Sequence, residues 1–210
     1  MSKNTRDVEK SLPKTIDFLA ASYTKVIMYH DLGDYAALGK SSESLLEVLN
    51  VPKEKTGQAS GIVSLMYKES DDADTQLGLG NRKNHDHLFG KIFELAEELD
   101  TLLELSDCSV RDEVRWWYHY RLSRSKVGGK KSNKPSRFFH FAVALFFIYI
   151  EHLRRIKAPL KAMICTYWLA KAGRKHERDD WAQAEFMLRR YWSAKISGNS
   201  GKVEPKLILV

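Results

Sequence analysis

Cysteine is nearly absent from this sequence: Cys108 and Cys165 are the only two in 210 residues. They form no Cys-x-x-Cys pair, and two thiols alone do not build a thiolate-rich zinc site. Isolated cysteines of this kind fit reduced thiols, so the expected compartment is the cytoplasm. Proline and glycine are also scarce, at 5 and 12 residues, which excludes a Pro/Gly-rich linker protein. No apolar run reaches the roughly 18–20 residues that a bilayer crossing needs. The longest, Phe138 to Ile150, has thirteen residues and is interrupted by His140. A buried central helix is the expectation for it, with no membrane partner. The opening MSKNTRDVEK is polar, mixes both charge signs and lacks the apolar core of a secretory signal. Strand-like alternation is missing too, and no segment repeats at a fixed period.

What is present is helical periodicity over an ample apolar content, 43% of residues with 11% aromatic. Pro13 is placed to start a helix whose face is Ile16, Leu19, Tyr23, Val26, Ile27 and His30, and Gly33 ends it. Tyr35, Leu38, Leu45, Leu46 and Leu49 mark one or two shorter helices, broken at Pro52. Ile62, Val63, Leu65 and Met66 form a further apolar set. SDDADTQLGLGNRKN, residues 70–84, reads as a long polar loop. Leu88, Phe89, Ile92, Phe93, Ala96, Leu99 and Leu103 then make a strong stripe. Ser109 with Asp112 or Glu113 resembles a capping signal for a helix bearing Val110, Val114, Trp117 and Tyr118. Three more helices follow, from Ser136 to about Lys157, from Pro159 to near Gly173, and through Trp181, Leu188 and Trp192. The expected fold is all-α: a single bundle of roughly seven to eight helices over residues 1–197, with a tail at 198–210.

Charge is divided along the chain. Residues 1–110 hold 12 Lys/Arg against 19 Asp/Glu, a net of −7, whereas residues 111–210 hold 22 against 8, a net of +14. A basic half of this strength calls for a polyanion, for mutual attraction between the halves, or for association with other chains.

The cations concentrate between 121 and 137. Arg121, Arg124, Lys126, Lys130, Lys131, Lys134 and Arg137 fall within seventeen residues that contain no carboxylate, and Gly128, Gly129 and Pro135 oppose a continuous helix. Arginine grips phosphate oxygens with a two-pronged hydrogen-bonding fork, and lysine supplies a movable point charge. Aromatic residues flank the loop: Trp116 to Tyr120 before it, and Phe138, Phe139 and Phe141 after it. Five successive rings do not all fit one buried helix face. Trp116 and Tyr120 are therefore the candidates for stacking on bases, which is worth about 1–3 kcal/mol per base. Arg154, Arg155, Arg174, Lys175 and Arg178 are candidate supporting contacts. The same residues also suit helix C-termini, where cations complement the dipole.

Signs of catalysis or metal binding are sparse. His85 and His87 point about 200° apart on a helix and do not make a common ligand set. GLGN at 78–81 lacks the strand and third glycine of a dinucleotide fingerprint. Glu151-His152 lies on the most apolar helix, where a satisfied core histidine is expected. No nucleophile, metal site or cofactor motif is assigned. Arg82-x4-His87 resembles the Arg/His spacing of helical HEPN ribonucleases, a resemblance confined to those two residues that implies RNA cleavage. The chain as a whole reads as a non-enzymatic, nucleic-acid-binding subunit of a larger complex. It would contact RNA or DNA, including single strands, through the basic loop. A protein-interaction or self-assembly module is the alternative.

Overall fold

The computed structural model describes residues 3–48, 51–104, 110–124, 126–127, 130–131 and 134–196. Cys108, Ser109 and the tail at 198–210 lie outside them. The described residues form eight helices: α1 (Lys3–Asp31), α2 (Tyr35–Val48), α3 (Lys53–Gly78), α4 (Arg82–Leu103), α5 (Val110–Arg124), α6 (Lys134–Ile156), α7 (Pro159–His176) and α8 (Trp181–Ile196). Each packs on the next in sequence, and α8 returns onto α1, which closes the circuit. One buried cluster draws on all eight, from Leu19 and Tyr23 through Met66, Phe89 and Trp117 to Ile148, Leu169 and Trp192. The fold is an all-α bundle.

The first expected face is the observed one, with Leu19, Tyr23, Val26, Ile27 and His30 buried. The helix nevertheless starts at Lys3 and passes through Pro13. Proline's fixed φ is compatible with a helix, and what it removes is one backbone donor. Gly33 ends the stripe at φ +68°, its N–H donating to His30 C=O (2.9 Å).

The expected polar loop at 70–84 is not there. α3 continues to Gly78, and only Leu79 to Asn81 separate it from α4. Ser70 and Ala73, both small, carry the buried stripe of Ile62, Met66 and Tyr67 on to Leu77, which hides its period in the sequence. The acids that suggested a loop have helical partners instead. Tyr35 donates to Asp71 (2.5 Å), and Arg121 pairs with Asp74 (2.9 Å). The turn closes at Gly80, φ +81°, and Asn81 Oδ1 then caps α4 by accepting from Asn84 N–H (3.2 Å).

α5 is the central helix. Trp117 meets Tyr67 of α3 (centroids 5.4 Å) and Phe89 of α4 (6.1 Å). On another side, Trp116 and Tyr120 wall an apolar crevice with Phe141, Ala144 and Ile148 of α6 and Leu169 of α7. Both tryptophans are therefore buried, because neighbours enclose the helix on more than one face. Its first amides are satisfied from α4: Asp100 Oδ1 accepts from Val110 N–H (2.6 Å) and Oδ2 from Arg111 N–H (3.3 Å). Asp112 binds Arg115 and Arg154, and Glu113 faces Arg155, while Ser109, the other half of the expected capping signal, lies outside the described residues.

α6 is not the buried central helix that its composition suggests. Only 17% of Ser136–Ile156 is buried. It packs on α5 through Ala144 and Ile148 and leaves Phe138, Phe139 and Phe146 exposed. The basic loop is narrower than 121–137, since α5 runs to Arg124 and α6 begins at Lys134. Between them, β1 (Lys126–Val127) and β2 (Lys130–Lys131) form a two-residue antiparallel ladder, Lys126 opposite Lys131 and Val127 opposite Lys130.

Candidate polyanion-binding cleft

The C-terminal end of α5, the N-terminal end of α6 and the C-terminal end of α7 meet around an open cleft of about 400 Å³. Its walls carry Arg124, Arg137, Arg174 and Arg178, four of the arginines singled out by charge clustering. Among the described residues, Glu177 is the sole carboxylate in the lining. Its charge is already engaged, since Arg124 pairs with it and Tyr120 donates a short hydrogen bond to it. Arg137 is braced by its own Nε, which donates to Ser123 C=O near the end of α5 (2.8 Å). The Arg174 guanidinium lies over the Phe141 ring, 5.0 Å from its centroid. Arg137, Arg174 and Arg178 make no ion pair with a described residue. Phe138, on the same rim, is 75% exposed.

The remaining candidates divide sharply. Arg121 turns inward, bound to Asp74, with Nη2 3.4 Å from His30 Nε2 and its guanidinium 5.8 Å from the Trp117 ring. Arg155 is 9% exposed and clamped between Glu151 (2.6 Å) and Glu113 (3.6 Å). Arg154 is exposed but lies at the far end of α6, on Asp112 (2.9 Å). Lys175 pairs with Asp180 (3.1 Å). For Lys126, Lys130, Lys131 and Lys134 the backbone is described, and their side chains lie outside the described residues. Neither proposed stacking ring is free. Trp116 is 3% exposed, and the Tyr120 hydroxyl is held by Glu177. Phe138 is the exposed ring at the cleft, and the aromatic run after the loop was the signal for it.

A second depression, about 350 Å³, adjoins the cleft and shares Arg124 and Glu177 with it. His30, Asp31, Arg121 and His176 complete its polar lining. His30 has a carboxylate at each ring nitrogen, Asp71 at 2.7 Å and Asp31 at 3.2 Å. Burial opposes its charge, but the hydrogen bonds to Asp31 and Asp71 outweigh it and raise the imidazole pKa. His176 is driven the other way, to about 4, chiefly by burial. With two carboxylates in its wall, this depression is less suited to an anion than the arginine cleft.

The HEPN-like pair is not assembled into a cleft. Arg82 binds Asp86 (2.8 Å) and donates to the Tyr118 hydroxyl (2.6 Å), while His87 is exposed. Among the described residues, no group of three or more His, Cys, Asp or Glu side chains is placed to hold a metal ion.

Fold and site together define an eight-helix bundle with an arginine-lined cleft where three helices end. No protein-family model, curated protein or solved structure matches the chain.

Proposed function

We propose that this protein binds nucleic acid through the phosphate backbone, as a non-enzymatic helical subunit of a larger nucleoprotein assembly. The observation that carries this reading is the convergence of Arg124, Arg137, Arg174 and Arg178 from the ends of three helices on one concave surface. Four guanidinium groups beside one carboxylate, itself already paired, leave an excess of fixed positive charge facing solvent. A phosphodiester backbone fills such a cleft and releases counterions as it does so. Phe138 at the rim favours single strands, because an unpaired base can stack on an exposed ring while its phosphates lie against arginine. The hairpin carrying Lys126, Lys130 and Lys131 extends from the same end of α5 and would lengthen the track.

A gel-shift series with single- and double-stranded RNA and DNA tests the proposal. Wild type is expected to shift single strands best. Arg174→Ala/Arg178→Ala weakens binding about tenfold or more, for the loss of two charge-assisted phosphate contacts. Absence of any shift at low salt contradicts the reading.

A further inference from the structure

Among the described residues, seven of the twelve exposed large apolar side chains lie on α6 and α7. Along α6 they begin at Phe138 and Phe139 and continue through Phe146. Along α7 the outward residues are Leu160, Met163, Ile164 and Tyr167. The two helices pack side by side, so their outward stripes adjoin. By length and composition Ser136–Ile156 could cross a membrane, yet it is mostly unburied. A core helix of a globular protein would have covered this face, and single scattered apolar residues would need no explanation.

The charge around the face identifies what covers it. Residues 134–176 contain nine Lys/Arg and one carboxylate, Glu151. Glu151 faces inward, onto Arg155. The cations collect at the two ends of the face. Arg137, Arg174 and Arg178 are at the end where α6 begins, and Lys157 and Lys161 are where α6 passes into α7, beside Arg154, which is paired with Asp112 of α5. No acidic residue lies between them on the surface. A second copy docking by the same face would oppose cation to cation. The acidic half offers less to match it: among its described residues four large apolar side chains are exposed, Phe18, Leu32, Leu65 and Leu79, against seven on this face. An apolar band with cations at its ends fits a lipid surface that carries negative headgroups.

We infer that the α6–α7 face docks on an anionic membrane surface, with the large apolar side chains entering the headgroup boundary and the flanking cations meeting lipid phosphates. The helices lie on the bilayer and do not span it. A span would carry Glu151, His152 and Arg155 into hydrocarbon and part α6 from α5. The inference departs from the expectation of no membrane contact; its apolar band from Phe139 through Phe146 and along α7 lies outside the arginine cleft, and at one end it shares Arg137, Phe138, Arg174 and Arg178 with that cleft.

Co-sedimentation with vesicles tests it, using phosphatidylcholine alone and phosphatidylcholine mixed with phosphatidylserine. The variant Phe146→Gln/Met163→Gln changes no charge and alters only positions 58% and 56% exposed, so its melting temperature is expected to match wild type. Wild type should sediment with the anionic vesicles and much less with the neutral ones. The variant should lose about tenfold in partition while keeping wild-type affinity for single-stranded RNA. Three results would overturn the inference: wild type staying in the supernatant, equal binding to both vesicle types, or equal binding by the variant. So would a dimer in light scattering that the variant dissociates, because a second copy would then occupy the face. Vesicle results and gel shifts fail independently, since neither variant residue lines the cleft.

Discussion

Arg155 carries one of the few buried positive charges in the core, and it is balanced by two carboxylates, Glu151 at 2.6 Å and Glu113 at 3.6 Å. Removing the cation leaves both acids buried without it. Breaking a buried ion pair by deleting one partner costs about 3–5 kcal/mol, and Arg155→Ala is expected to lower stability to urea by that amount. Nucleic-acid binding by the residual folded fraction should be unchanged, because Arg155 is not in the cleft. His152 offers a pH-dependent counterpart. Thr166 spends its hydroxyl proton on Ala162 C=O (2.9 Å), so His152 Nδ1–H donates to Thr166 Oγ1 (3.0 Å). The Nε2 lone pair then accepts from the Tyr191 hydroxyl (3.3 Å), an arrangement that requires the neutral ring. Burial, reinforced by Lys195 and Arg155, pushes its pKa down to about 3, and burial takes His176 to about 4. Both folded values lie below the unfolded value, so the unfolded chain takes up protons first on acidification. Their stabilisation is complete above about pH 6.5 and is lost as pH falls toward 4, at up to ~1.4 kcal/mol per pH unit for each group. His30, whose pKa is raised, acts in the opposite sense. Thermal melts between pH 7 and 5 should therefore show a shallower acid decline in His152→Gln than in wild type.

Helices with large apolar residues at regular spacing were legible from the sequence. α4 is the clearest, with Phe89, Ile92, Ala96 and Leu99 buried as its stripe implies. α3 was legible only in part. Beyond Tyr67 its inward positions are Ser70, Ala73 and Leu77, and the intervening acids look like a solvated loop until Tyr35, His30 and Arg121 are brought to them by other helices. Composition misled for α6, because an apolar run states that a surface is greasy and not what covers it. α5 was misread for the related reason that two adjacent tryptophans are both buried only when neighbours enclose the helix on several sides. Its N-terminus depends on a residue ten positions upstream. Asp100→Ala removes the acceptor for the Val110 and Arg111 amides and is expected to cost about 1–2 kcal/mol, read as a lower urea midpoint.

Across the whole molecule, the charge split is partly neutralised within the fold. Arg111–Glu97, Arg121–Asp74 and Arg189–Asp17 each join the basic half to the acidic half. Arg137, Arg174 and Arg178 at the cleft make no ion pair with a described residue, and the apolar α6–α7 face lies beside them. Charge clustering in the sequence pointed to the loop, with Arg154, Arg155, Arg174, Lys175 and Arg178 as supporting contacts. It did not separate Arg174 and Arg178, which meet Arg137, from Arg154, Arg155 and Lys175, which do not, because that depends on how α6 and α7 pack. In the proposed function these arginines hold the polyanion, with the loop lysines as an extension.

The salt dependence of anisotropy titrations with labelled single-stranded RNA tests that placement most directly. If three to four phosphates are neutralised, the slope of log affinity against log salt is expected near about −2 to −3. Arg174→Ala/Arg178→Ala should make it shallower by ~1.4. Lys130→Ala/Lys131→Ala should change the slope less. A slope unchanged by the arginine pair, or abolished by the lysine pair alone, would contradict the cleft as the site of binding.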